Sequence, residues 1–173
     1  QALRQCLSVL RGELGSAGGE LLHSDPNTIG LDVDGVAIDA VEFVTLAASS
    51  EAGDVGRANA LSSGEFLADL DVKSEAFEQW VGEQRARIEL AAAGIFETHA
   101  RQMDLAGQSL EAIGAVDRLT AIDPLREDWQ RLALEIYARH RGRDSALVRA
   151  KSFTALLTKE LGVAPEPATA ELI

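Results

Sequence analysis

The sequence predicts a mostly α-helical chain of stacked helical hairpins, preceded by an N-terminal helix and a small β-hairpin. From about residue 55 to residue 162, apolar residues recur at three- and four-residue steps, which is the spacing of one helix face. Gly and Pro interrupt this pattern at intervals of one helix length. Before residue 36, two short apolar stretches flank a polar turn, as they do in a hairpin.

The N-terminal helix is predicted from an apolar stripe that ends at Gly15, formed by Leu3, Leu7, Leu10 and Leu14. Residues 20–24 and 28–33 are the predicted strands, because Asp25-Pro26-Asn27 between them is typical of a turn. Asp39 is placed to cap a short helix that follows.

Five further helices are predicted at about residues 55–67, 74–105, 109–122, 125–139 and 144–161. In the last of these we expect the larger apolar side chains, Leu161 included, to face inward, and the prolines predict an extended tail over 163–169. Trp80 and Trp129 stand among apolar neighbours at helical spacing, which favours core packing over partner binding for both.

The composition describes a globular protein, with 46% apolar and 25% charged residues and no apolar run of the roughly 18 residues that a membrane span needs. The net charge of -12 repels phosphate backbones, so any DNA contact has to come from a local basic face. Cys6 is the only cysteine, which excludes an intramolecular disulfide and fits the cytoplasm. A start at Gln1 in helical pattern, without a leader, indicates a piece of a longer protein.

No motif for catalysis is present: the sequence contains neither a nucleophile elbow, nor a phosphate loop, nor a dinucleotide-binding glycine pattern. His23, His99 and His140 are far apart in sequence, and none of them belongs to a metal-binding pair. We therefore expect no enzyme activity, no cofactor and no metal.

The helical part contains a weak internal repeat with a shift of 34 residues. Ala112 aligns with Ala146, and the turns at Gly107 and Gly142 fall at nearly corresponding places. This is the tetratricopeptide period, in which a small residue is needed where two helices cross closely. A helical bundle with evenly spaced turns is the alternative interpretation.

Several segments together suggest a family. Residues 3–15 resemble the recognition helix of the winged-helix domain in antibiotic-regulator-type bacterial activators, and they read Leu3-Arg4-Gln5-Cys6-Leu7-Ser8-Val9-Leu10-Arg11-Gly12-Glu13-Leu14-Gly15. Later segments are similar, in order and spacing, to landmarks of the bacterial transcriptional activator domain that follows it: Gly64-Glu65-Phe66-Leu67, Phe77-Glu78-Gln79-Trp80-Val81, Gln84-Arg85, Asp123-Pro124-Leu125-Arg126-Glu127 and Glu160-Leu161-Gly162-Val163-Ala164-Pro165.

This resemblance implies two parts: residues 1–36 as the recognition helix and wing of a truncated winged-helix domain, and residues 37–173 as the tetratricopeptide-like activator domain. It further implies promoter DNA as a partner of the intact protein, and a protein partner or a second copy as a partner of the helical repeats. Carried onto this chain, the DNA-binding residues are Arg4, Ser8 and Arg11 on the helix and Asn27 and Thr28 at the wing tip. The alternative is a helical-repeat scaffold, or a regulatory domain of a larger signalling protein, without DNA binding.

Overall fold

The computed structural model describes residues 2–32, 35–49, 51, 53–62, 64–70 and 72–173. The described residues are mostly helical, with one small antiparallel sheet of two strands. The chain divides into two compact units, residues 1–42 and 43–173.

The first unit contains helix α1 (Ala2–Glu13), a short 3-10 turn (Gly15–Ala17), helix α2 (Gly18–Leu21) and strands β1 (Leu22–Ser24) and β2 (Ile29–Leu31). Gly15 adopts a positive φ of 61°, which favours glycine and ends α1 where the sequence predicted. The strands pair antiparallel with Leu22 opposite Leu31 and Ser24 opposite Ile29, so the predicted β-hairpin is present. None of the residues of α1 is buried.

The remaining helices are α3 (Asp39–Ala47), α4 (Asp54–Leu61), α5 (Glu75–Leu105), α6 (Ser109–Ile122), α7 (Glu127–Arg141), α8 (Arg143–Leu161) and α9 (Pro167–Ala170). From α4 to α8, each helix packs against the next one along the chain. Gly107 and Gly142, with φ of 71° and 87°, lie in the α5–α6 and α7–α8 turns, where left-handed backbone favours glycine.

The hydrophobic core of the second unit lies between these helices. Ala112, Val116 and Leu119 on α6 are completely buried, as are Ala133 and Ile136 on α7. Phe96 on α5 and Trp129 on α7 are about 5% exposed, so the core-packing prediction for Trp129 agrees with its burial. Most of the buried residues of α5 lie in its C-terminal half.

Trp80 does not fit the core-packing prediction, because 44% of its surface is exposed. Helix α5 has 31 residues and α6 only 14, so α6 cannot cover the first turns of α5. Trp80 instead contacts two partly buried aromatic rings, with centroid distances of 6.2 Å to Phe66 and 5.6 Å to Phe77. Periodicity indicated the helix correctly but did not show where its packing partner ends.

The C-terminal tail also differs from the extended conformation that its prolines predicted. Pro167 begins the short helix α9, because the fixed φ of proline suits the first helical position. The backbone N–H of Glu166 donates to both carboxylate oxygens of Glu127 at 3.0 Å. Arg131 Nη1 donates to the hydroxyl of Thr169 at 2.9 Å, and Thr169 is completely buried. The tail is therefore attached to α7. At the end of α8, Leu161 was expected to face inward, but it is 56% exposed.

Candidate functional site

The basic face predicted on α1 is divided by the structure into exposed and engaged residues. Arg4 and Ser8 lie one turn apart and are exposed, whereas Arg11 is partly buried. Arg11 Nη2 donates to the carbonyl of Leu22 at 3.1 Å and to Ser24 Oγ at 3.0 Å. Arg11 therefore links the C-terminal end of α1 to strand β1. At this end of the helix, its positive charge also interacts favourably with the helix dipole.

The turn between the strands is built around the carboxylate of Asp25. Its Oδ1 accepts the backbone N–H groups of Asn27 and Thr28, each at 2.7 Å, and its Oδ2 accepts the Thr28 hydroxyl at 2.6 Å. These hydrogen bonds, that of the hydroxyl foremost, lower the pKa of Asp25 below its usual value. The carboxylate is therefore ionised at neutral pH and holds the backbone donors of Asn27 and Thr28 within the turn.

Among the described residues, no hydrogen bond joins Arg4 or Ser8 to another part of the chain. A free guanidinium offers five N–H donors, which suit phosphate oxygens or a guanine edge. The structure thus joins Arg11 to the hairpin and places Asn27 beside Thr28 in the turn. Of the five predicted DNA-binding residues, Arg4, Ser8 and Asn27 have side chains that make no hydrogen bond within the described part of the first unit, since only the backbone N–H of Asn27 is bonded to Asp25.

In the second unit, a polar cluster around Asp104 joins three helices. His140 Nε2 lies 2.8 Å from Asp104 Oδ1, and His140 Nδ1 lies 2.9 Å from Ser109 Oγ. Arg139 pairs with the same carboxylate. Burial alone raises the pKa of Asp104, but the hydrogen bonds from Arg139 and His140 outweigh it and leave the pKa below its usual value. The cluster links the end of α5, the start of α6 and the last turn of α7.

A second cluster, around Asp117, joins α6, α7 and α8. The Tyr137 hydroxyl donates to the two carboxylate oxygens of Asp117 at 3.0 and 2.8 Å. Arg149 donates to the same carboxylate at 2.8 Å and to the Thr120 hydroxyl at 2.6 Å. Burial, followed by the bond to Asp117, raises the pKa of Tyr137. The residues of both clusters are far apart in sequence, so no local motif indicated them.

His99 is a buried histidine on α5, only 8% exposed, and its Nδ1 has no hydrogen-bond partner among the described residues. Burial is the main cause that lowers the pKa of His99, and the positive charge of Arg118 lowers it further, against a smaller opposite effect of Glu111. His99 is therefore neutral in the folded protein at neutral pH.

Two kinds of feature are absent from the described residues. No group of three His, Cys, Asp or Glu side chains in that part of the chain is arranged to hold a metal ion. None of the helices described is both long enough and apolar enough to cross a bilayer.

Comparison with known families identifies the larger unit. The family model of the bacterial transcriptional activator domain matches residues 39–173, the whole stretch from α3 to α9. The chain belongs to this family. Its function is accordingly related to transcriptional activation, and the family is a regulatory rather than an enzymatic one. No curated protein matches the chain. The activator-domain match does not include α1 or the hairpin, so the DNA-binding residues rest on their own resemblance.

Proposed function

We propose that this chain is part of a cytoplasmic transcription regulator of the antibiotic-regulator type. Residues 1–36 are the recognition helix and wing of a winged-helix domain that binds promoter DNA, and residues 37–173 are a tetratricopeptide-like module for protein interaction or dimerisation. The observation that carries this proposal is the activator-domain match over residues 39–173, directly after a helix and an antiparallel hairpin.

The exposed apolar surface of α1 supports the first part of the proposal. Leu3 and Leu10 on α1 are 61% and 48% exposed, and Leu14 directly after the helix is 40% exposed, although the three continue one apolar stripe. A soluble protein normally covers such a stripe, because exposed apolar surface of this kind favours association. The other helices of a winged-helix domain would cover it and leave the Arg4 face free for DNA.

The packing of α5 to α8 supports the second part. Helices that contact mainly their neighbours in sequence are characteristic of helical-repeat proteins. Ala112, at the position where the repeat needs a small residue, is completely buried. Met103 and Tyr137, which the 34-residue shift aligns, are both partly buried against the same core.

The test is DNA binding by the intact protein. DNA fragments that the protein enriches from the genome that encodes it are labelled with a fluorophore. Their affinity for the protein is measured by fluorescence anisotropy at increasing salt concentration. Each phosphate contact contributes about -0.9 to the slope of log affinity against log salt concentration. We expect Arg4→Ala to weaken binding and to reduce the slope by about one contact.

Arg87→Ala is the matched control, because Arg87 is an exposed arginine on α5 in the other unit. It should leave both the affinity and the slope unchanged. If the intact protein shows no sequence-dependent, salt-sensitive binding, the DNA-binding function is wrong, and a helical-repeat scaffold that acts through protein contacts explains the chain better.

A further inference from the structure

Three arginines among the described residues of the second unit lie over aromatic rings. Arg126 lies 4.1 Å from the centroid of Trp129, and Arg149 lies 4.9 Å from that of Tyr137. The positive charges of both arginines are neutralised, because Arg126 pairs with the carboxylate of Asp128 at 2.9 Å and Arg149 pairs with that of Asp117 at 2.8 Å.

The third arginine, Arg118, differs in having no carboxylate partner among the described residues. Its guanidinium lies 4.5 Å from the ring centroid of Phe96. Its hydrogen bonds go only to neutral oxygens: the carbonyl of Gly114 at 3.4 Å, the carbonyl of Asn59 at 3.3 Å, and the side-chain oxygen of Asn59. Partial burial lowers the pKa of Arg118. A partly buried cation without a counter-ion is energetically unfavourable.

Arg118 lines a groove of about 530 Å³ between α5, α6 and the segment around Phe66. Ile88 and Ala92 on α5 and Ile122 on α6 give this groove an apolar wall. Arg85 also lines the groove, but it is already occupied by an ion pair with Glu65 at 2.8 Å and by hydrogen bonds to backbone carbonyls. Arg118 is thus the cation of this groove that no carboxylate of the described residues neutralises, and two of its five N–H donors remain beyond its three hydrogen bonds.

We propose that this groove, the Arg118 groove, binds a small organic anion whose carboxylate pairs with Arg118 and whose apolar part lies against Ile88, Ala92 and Ile122. Charge-assisted hydrogen bonds between guanidinium and carboxylate are short and strong, and the apolar wall excludes water from them. Glu89 also lines the groove, and its negative charge favours a singly charged ligand over a doubly charged one. The inference does not depend on DNA binding by the first unit.

The test is calorimetric titration of the intact protein with octanoate, and with octanamide as the neutral analogue of the same shape. We expect saturable binding of octanoate at one site and no saturable binding of octanamide. Arg118→Gln should weaken octanoate binding by at least about tenfold, because it removes the charge from the hydrogen bonds. Arg126→Gln, which removes the arginine that Asp128 already neutralises, should stay within about twofold of the wild type.

Ala121→Phe provides an independent check that leaves every charge in place. Ala121 is exposed at the edge of the groove, so a larger side chain there narrows the groove without entering the core. We expect this variant to keep the circular dichroism of the wild type and to lose octanoate binding. The proposal is overturned if the wild type shows no saturable binding, if octanamide binds as well as octanoate, or if folded Arg118→Gln or Ala121→Phe binds octanoate as the wild type does.

Discussion

Ala112 and Ala146 occupy corresponding positions of the 34-residue repeat, yet the same substitution should have different effects at the two sites. Ala112 is completely buried in the core formed by α5, α6 and α7. Ala146 is only partly buried and lines a groove of about 450 Å³ beside Leu134 and Leu147. Ala112→Leu therefore forces atoms into filled space, whereas Ala146→Leu extends into an open groove.

The expected magnitudes follow from this difference in packing. Overpacking a filled core typically costs about 1–3 kcal/mol of unfolding free energy, and we expect Ala112→Leu to fall in this range. Ala146→Leu should change the unfolding free energy by less than about 0.5 kcal/mol, or raise it slightly, because it covers apolar groove surface. A difference of about 1.4 kcal/mol corresponds to a tenfold difference in the folding equilibrium constant.

Urea unfolding followed by tryptophan fluorescence measures this effect in the second unit alone. Both tryptophans of the chain, Trp80 and Trp129, lie within residues 43–173, so the first unit does not contribute to the signal. The dependence on urea concentration should be the same in both variants, and only the midpoint should move. An Ala112→Leu variant as stable as the wild type, or an Ala146→Leu variant that loses more than Ala112→Leu, would refute the packing argument.

Three further predictions concern pH and backbone conformation. The pKa of His99 in the folded protein is lowered from 6.5, so the unfolded chain binds more protons below that pH, and the stability falls as the pH drops below about 6.5. In urea unfolding midpoints measured above and below this pH, His99→Leu should flatten the dependence on pH. Gly94→Ala should raise the free energy of unfolding by about 1 kcal/mol and with it the thermal midpoint, since an added Cβ meets no atom within 4 Å, whereas Gly142→Ala should lower both because φ is 87° there. The pKa of Asp25 is lowered, so the turn keeps its stabilisation at neutral pH and loses it as the pH falls below the unfolded value of 3.8. The NMR signal of the Thr28 amide should titrate below this pH, and Asp25→Asn should abolish that titration.

The sequence predicted the long helices well, because their apolar stripes are local and regular. The prediction 109–122 coincides with α6, and 74–105 differs from α5 by one residue. The first of the five helices was less accurate: α4 ends at Leu61 rather than near residue 67. Arg85 on α5 holds the segment that follows α4 by donating to the carbonyls of Phe66 and Leu67. This long-range contact is not visible in a local sequence pattern.

The candidate sites were predictable only where a motif lies on one stretch of chain. Helical spacing placed Arg4 and Ser8 on one face of α1, and their role in DNA binding stays a prediction, whereas the bond from Arg11 to Leu22 required the folded hairpin. The missing counter-ion of Arg118 was not predictable, because many acidic residues stand near it in sequence and only the fold determines which side chains meet. The guanidinium donates instead to Asn59, which is 59 residues away in the sequence.

The attachment of the tail to α7 limits where the second unit can be cut after α8. A chain that ends with α8 would keep all of its long helices. It would lose the bond between Glu166 and Glu127 and the bond between Arg131 and Thr169. A cut after Ala170 would keep these bonds, although it would remove the backbone bonds of Glu171 to Pro167 and of Leu172 to Thr169.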